Sequence, residues 1–275
     1  MGFPKTVVFR VTSKCNNDCA YCYGPDRLIE DMSFEEIKKM AEYLFEGGAR
    51  EICLTGGEPL CRDDFDKIIS ELKQIGFDIF LDSNGDFFFK HSNVILEDIK
   101  VLGLPIDFVN KSYRCEENVE NAFKILEFLK SASKRPLIRI GTVITKDNIG
   151  ELNNLAEKLG KYPVDIWKIY QFLPQNKNAL TNRQSLEVPY AAFDLITRKL
   201  SQTKFSFKLV TCKVTDRDKA YFFINPNGVV FMPTLVDGIS VEKELGSIFD
   251  TTVVEKWQKA VSKSNFENNN RLTFR

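Results

Sequence analysis

The stretch TSKCNNDCAYCY, residues 12–23, constrains this chain more than any other. Cys15, Cys19 and Cys22 form a C-x3-C-x2-C pattern. Three thiolates this close in sequence can wrap one face of a metal or cluster, and soft sulfur ligands select zinc, copper(I) or iron–sulfur. A structural zinc site wants a fourth ligand and a closed tetrahedron. The next cysteine is Cys53 and the single histidine is His91, so no fourth soft ligand lies nearby in sequence. Three thiolates on a four-iron cluster would instead leave one iron open to a substrate or cofactor. The spacing alone also allows zinc or three unrelated thiols. Residues 6–11, TVVFRV, are rich in β-branched side chains and read as a strand that carries the cysteine loop at its C-terminal end.

A second stretch narrows the reading. Residues 52–60, ICLTGGEPL, are an apolar strand running into Gly56-Gly57-Glu58-Pro59. The cysteine pattern after a first strand and GGEP after a second resemble the radical S-adenosylmethionine (SAM) superfamily. The resemblance implies that Cys15, Cys19 and Cys22 hold one 4Fe-4S cluster. SAM would chelate the fourth iron through its methionine amino and carboxylate groups. An electron from the cluster would cleave SAM to methionine and a 5′-deoxyadenosyl radical, which abstracts hydrogen from a substrate. An electron donor such as flavodoxin or ferredoxin is implied as a partner. By the same resemblance Glu58 and the backbone of Gly56, Gly57 and Pro59 bind the methionine ammonium.

Further along the chain, Ser33 and Glu36 form a capping-box pattern that opens a first helix. Cys61 stands where the family often has an aliphatic residue and is expected to be a harmless variant. Residues 77–81 read as strand three, followed by Asp82-Ser83-Asn84-Gly85. That turn resembles the family's S/T-N-G element, which places Ser83 and Asn84 against SAM; Asp82 and Ser83 also resemble a cation-binding form seen in glycyl-radical activating enzymes. His91 lies in a polar run and is expected at the surface. Residues 102–109 read as strand four, whose Asp107 matches a family Asp, with Pro105 where a Ser is common. Arg114 resembles an Arg that pairs with the SAM carboxylate, and guanidinium suits such a clamp. Tyr21 matches an aromatic that packs near the adenine, though it could equally only fill the loop. Thr142 and Val143, on strand five (residues 137–145), lie where the family packs the adenine. Residues 164–173 are strand six.

Strand six ends in Trp167-Lys168-Ile169-Tyr170-Gln171, which resembles the W-K-x-x-Q of viperin and its prokaryotic relatives. Alternation puts Lys168, Tyr170 and Phe172 on one face and Trp167, Ile169 and Gln171 on the other. An ordinary surface lysine is the competing reading. Lys14, Arg114, Arg139 and Lys168 are the candidate cations for a triphosphate. Residues 175–183 read as a polar loop at the barrel mouth. Residues 221–233 contain two β-rich runs around Pro226-Asn227-Gly228, a hairpin. Together with a turn and helix at residues 245–257, this block resembles the SPASM or twitch extension of peptide-maturing radical SAM enzymes. Cys212 is the single cysteine after Cys115, and one thiol cannot hold an auxiliary cluster. Cys212 is expected as a plain buried thiol, with a hydrogen-donor role as the alternative. The tail, residues 264–275, is Asn-rich and expected to be mobile.

The expected fold is α/β: a partial (β/α)6 barrel over residues 1–210 and a small C-terminal α+β extension over residues 211–275. Lys+Arg and Asp+Glu are equal at 38 each, which gives no global electrostatic case for nucleic acid or a membrane surface. No stretch reaches the length of a transmembrane helix, and the start of the chain lacks a signal-peptide core. The seven cysteines, three of them in the motif, fit a reducing cytoplasm. The expected activity is hydrogen abstraction from a peptide or small molecule. A viperin-like nucleoside triphosphate dehydratase is the alternative, and an iron–sulfur scaffold or sensor without SAM chemistry is the third reading.

Overall fold

The computed structural model describes residues 2–108 and 116–269. The chain opens in β1 (Thr6–Thr12), whose residues 7–12 are all buried. The strands β2 (Glu51–Gly56), β3 (Asp78–Asp82), β4 (Ile99–Pro105), β5 (Leu137–Ile144), β6 (Ile166–Gln171) and β7 (Lys208–Cys212) follow. They pair parallel in chain order, each beside the last. The helices α1 (Phe34–Glu46), α2 (Phe65–Ile75), α3 (Ser92–Asp98), α4 (Glu116–Lys130) and α5 (Leu152–Leu159) lie in the successive crossovers. Strands covered on both faces read as near-continuous apolar runs, and this made them legible in the sequence.

Alternation divides each strand between two environments. Val7, Phe9 and Val11 of β1 and Ile138 and Ile140 of β5 join the large core under the helices, as do Trp167 and Ile169 of β6. Val8, Cys53, Phe80 and Val101 turn the other way and pack with Phe223 and Phe231, plugging one end of the bore. The two-face assignment for strand six holds, since Trp167 and Ile169 face the helices. Thr142 does not face the bore. It is fully buried, donates to the Ile106 carbonyl at 2.5 Å, and accepts from Trp167 Nε1 at 2.9 Å.

The sheet is open, with β7 at one edge and the C-terminal strands at the other. The parallel run is one strand longer than expected, because Lys208–Cys212 pairs with β6. The strand β8 (Phe223–Ile224) pairs parallel to β1, so the C-terminal block continues the same sheet. Hairpin pairing joins β8 to β9 (Val229–Val236), and β9 to β10 (Ile239–Ser247). The first hairpin was expected. The second announces itself only at Asp237-Gly238, where both residues have positive φ, 51° and 75°. That is the conformation a two-residue type I′ turn requires, and Asp-Gly is its usual sequence.

Three other segments differ from expectation. His91 is buried, not at the surface: its Nδ1 lies 2.7 Å from Asp66 and its ring edge meets Phe65. The cause is α3, which packs against α2 and carries His91 in with it. The polar run after β6 is not a loop but two short helices, α6 (Lys177–Thr181), capped by the Asn176 side chain, and α7 (Arg183–Leu186). The helix α8 (Tyr190–Ser201) then leads to β7. The start of the tail is helical: after α9 (Val253–Ala260), α10 (Lys263–Asn269) sets Phe266 edge-on against Trp257 at 5.2 Å. Among the described residues no helix is long and apolar enough to cross a membrane.

Trp167 is fully buried and stands edge-on to Phe205 and Phe207. Trp167→Ala therefore leaves a large cavity and strips Thr142 of a donor. The expected loss is about 3–5 kcal/mol, read as a lower urea midpoint at an unchanged m value.

Candidate active site

The cysteine loop leaves the C-terminal end of β1 and is fastened at its root. Thr12 Oγ1 and the Ser13 amide donate to the two oxygens of Asp31 at 2.5 and 2.7 Å. The amides of Gly57 and Glu58 donate to the carbonyls of Thr12 and Lys14, both at 2.8 Å. A Cβ at residue 57 would stand 2.0 Å from the Lys14 carbonyl oxygen, so the approach requires glycine. Gly56 ends β2, and Pro59 opens a buried 3-10 turn, Pro59–Cys61.

Within the loop, Cys19 is buried while Cys15 and Cys22 are half-buried. The Asn17 amide points at Cys15 Sγ at 3.4 Å and the Gly24 amide at Cys22 Sγ at 3.2 Å. Burial pushes the Cys15 thiol up, and the Asn17 N–H partly offsets it. Among the described residues no three His, Cys, Asp or Glu side chains gather as they do around a single metal ion. Thiolates that each hold a different iron of one cluster stand further apart than ligands of one ion. This donor set, all sulfur with backbone N–H groups turned toward it, can therefore hold an iron–sulfur cluster.

Two clusters of predicted residues flank the loop. On one side Glu58 is 1% exposed. It accepts from Ser83 Oγ at 2.7 Å, from the Asn84 amide at 2.6 Å and from the Leu60 amide at 3.1 Å. Burial raises its carboxyl to about 7, against the lowering effect of those three donors. Asn84 also donates to Asn16 Oδ1 at 2.8 Å, inside the cysteine loop. On the other side Tyr21 donates to Asp107, which also accepts from the Val143 amide at 2.7 Å. Tyr21 and Val143 share an apolar cluster with Phe172 of the β6 end, Ala179 of α6 and Leu186 of α7. Helices α6 and α7 thus cover this side. Asn178 donates to Asp18 and the Cys19 carbonyl, and Asn182 to the Ala20 carbonyl at 3.2 Å. Sequence reasoning missed both asparagines; their four-residue spacing on a helix face was the available signal. Arg114 lies outside the described residues.

Below these clusters the bore is charged. Arg139 of β5 pairs with Asp82 of β3, and Cys53 Sγ lies 3.7 Å from the same carboxylate. Asp82 therefore faces the bore while Ser83 faces Glu58. Lys168 is 5% exposed, not a surface lysine. It has no hydrogen-bond or ion-pair partner among the described residues, and its Nζ lies 4.9 Å from the Tyr170 ring centre. Burial lowers its pKa, and the charge of Arg139 adds to that. Cys212 is buried opposite Tyr170 in register. Gln171 turns away and accepts from the Val214 amide at 3.1 Å. Lys14 is exposed, outside this group.

With this geometry in hand, comparison places the chain. Residues 9–159 of 275 match the family model of the radical SAM superfamily. A probable GTP 3′,8-cyclase of Sulfurisphaera tokodaii is 31% identical over 195 residues, 64% of this chain and 59% of that protein. A GTP 3′,8-cyclase of Clostridium botulinum is 27% identical over 247 residues, covering 80% of this chain and 73% of the relative. The chain spans 59% and 60% of the length of two curated relatives it matches, from Sulfurisphaera tokodaii and Methanococcus aeolicus. Among solved structures, Streptococcus suis SuiB bound to the precursor peptide SuiA superposes with a TM-score of 0.71 at 13% identity, over 100% of this chain and 68% of that one. The enzyme anSMEcpe with bound AdoMet and a peptide gives 0.67 at 16% identity, over 95% and 83%. These structures share the fold. The chain belongs to the radical SAM superfamily, whose enzymes use a 4Fe-4S cluster and SAM.

Proposed function

We propose that Cys15, Cys19 and Cys22 ligate the cluster, that SAM spans the two flanking residue groups, and that the substrate is a small anionic molecule held in the bore. A cluster held by these three thiolates would supply the one-electron reduction that cleaves SAM, and the cleaved SAM would supply the hydrogen abstraction from the substrate. Glu58, with Ser83 and Asn84 fixing its oxygens, accepts the methionine ammonium, and Gly56, Gly57 and Pro59 shape the backbone around it. Tyr21 and Val143 hold the adenine side, oriented by Asp107. Arg114 takes the SAM carboxylate. An external one-electron donor such as flavodoxin or ferredoxin, in a reducing cytoplasm, completes the system.

The observation that carries the substrate class is Lys168. A buried ammonium without a counter-ion is costly, and an anionic ligand relieves that cost. The relatives named GTP 3′,8-cyclase make a nucleoside triphosphate the first anion to test. The second reading, a peptide, rests on the peptide-bearing fold neighbours and on the C-terminal block, residues 211–275, as a SPASM-like extension without an auxiliary cluster.

Anaerobically reconstituted protein is expected to bind about four irons and to form 5′-deoxyadenosine, and Cys22→Ala to lose both. CTP, UTP or GTP is expected to raise 5′-deoxyadenosine formation, and Lys168→Met to raise the KM for the active nucleotide about tenfold or more. No stimulation by any nucleotide, with stimulation by a peptide, overturns the small-anion reading.

Glu58 gives a pH test on the metal-free protein. Its folded pKa, about 7, lies above its ordinary value of 4.5. Between these values the folded chain holds a proton that the unfolded chain has released, so raising the pH favours unfolding. The full effect is roughly 3 kcal/mol. Wild-type stability is expected to fall from pH 4.5 to 7 more steeply than that of Glu58→Gln, measured as paired denaturant midpoints.

A further inference from the structure

Arg10 is the one charged residue in β1, TVVFRVT, and it is 1% exposed. Its guanidinium reaches three separate segments. Nη2 donates to the Tyr23 carbonyl at 2.8 Å, one residue past Cys22. Nη1 donates to Asn225 Oδ1 at 3.0 Å, in the turn between β8 and β9, and to Glu242 Oε1 of β10 at 2.5 Å. The guanidinium also lies over the rings of Phe231, at 4.6 Å, and Phe223, at 5.5 Å. Its place is thus fixed by the C-terminal strands, and Glu242 is its one carboxylate partner among the described residues.

Glu242 is held in turn. Gln175, after β6, donates to Glu242 Oε1 at 3.0 Å and to the same Tyr23 carbonyl at 3.4 Å. Beside it, the Ser240 amide of β10 donates to the Pro174 carbonyl at 3.0 Å. These contacts fasten β10 to the segment after β6, and they converge on one main-chain carbonyl at the exit of the cysteine loop. The root of that loop is fastened separately, by Asp31 and by the Gly57 and Glu58 amides. The exit is fastened through Arg10. Glu242, Asn225 and Gln175 all lie beyond residues 9–159, the part matched by the family model.

We infer that Arg10 and Glu242 are positioning residues for the cysteine loop, through which the C-terminal hairpin fixes the Tyr23 carbonyl and hence the placement of Cys22. The proposal rests on the assignment of Cys22 as a cluster ligand only for its consequence in the loaded protein; the placement of the thiol itself is a property of the metal-free chain. Glu242 can be removed without touching the bore core, because its side chain is part-exposed at 29%.

The test uses full-length Glu242→Gln, Arg10→Lys and Arg10→Met. In metal-free protein, alkylation of Cys15, Cys19 and Cys22 by iodoacetamide is followed residue by residue with tandem mass spectrometry. In reconstituted protein, iron release to a chelator and the cluster midpoint potential are measured. Expected is an acceleration of Cys22 alkylation and of iron release by about tenfold in Glu242→Gln, the loss of one charge-assisted hydrogen bond. Cys15 alkylation stays at the wild-type rate, and Arg10→Lys, which keeps the charge, falls between wild type and Arg10→Met. Wild-type Cys22 alkylation in Glu242→Gln overturns the proposal, as does equal acceleration at all three cysteines, which marks general loosening. Should Arg10→Met fail to fold, Glu242→Gln decides alone. If wild-type protein takes up no iron, the cluster assignment fails while the alkylation result still judges the positioning claim.

Discussion

The site depends on how closely the end of β2 approaches the cysteine loop. Two amides, of Gly57 and Glu58, meet the carbonyls of Thr12 and Lys14, and the absence of a side chain at residue 57 permits that contact. The pairing does two things at once. It continues the β1–β2 ladder past its last regular rung, holding the loop root rigid. It also swings the Glu58 side chain toward the Ser83-Asn84 turn, where two donors receive it, with the Leu60 amide as a third. Thr12, Gly57 and Ser83 belong to three successive strand ends, and only a parallel sheet presents three such ends side by side. The fold and the site share this constraint.

The bore shows a graded environment. At one end Val8, Cys53, Phe80 and Val101 are sealed by Phe223 and Phe231 from the C-terminal hairpin. Next come Asp82, Arg139, Lys168 and Tyr170. Above them lie the residues around the cysteine loop. Arg139 is buried and its partner Asp82 half-buried, and the desolvation of the guanidinium offsets part of their attraction. A lone buried lysine is worse. Stability does not account for this layer, and the proposed anionic substrate is what would offset its cost.

Much of this could be read from the sequence, for identifiable reasons. Strands β1 to β6 are apolar toward the helices, and the capping box of Ser33 and Glu36 forms as expected, so local pattern and global packing agree. GGEP and Ser83-Asn84 were picked out by their resemblance to the radical SAM family, and the structure brings them within hydrogen-bond reach of each other. What escaped was set by partners far along the chain. The burial of His91 depends on Asp66, 25 residues away, and of Arg10 on Asn225 and Glu242, 215 and 232 residues away. Strand β10 escaped because it is an edge strand with exposed charges, so alternation was diluted; its Asp237-Gly238 turn was the stronger signal. Lys168 was placed on the correct face by alternation, but its burial depends on neighbouring strands β5 and β7 that no local pattern encodes.

The C-terminal strands bear on how the whole chain is divided. A block that met the barrel only through a linker would leave β1 as a free edge. Here β8 pairs with β1. An unpaired strand at that position would expose a row of backbone groups beside the cysteine loop and invite mispairing. Phe223 and Phe231 also stack on each other inside the bore plug, with a centroid distance of 5.0 Å. Removing the block would therefore open the plug, expose the β1 edge and free Arg10 together. Its contacts run to the strand that carries the cysteine loop. Structural support for that strand is the role its contacts describe.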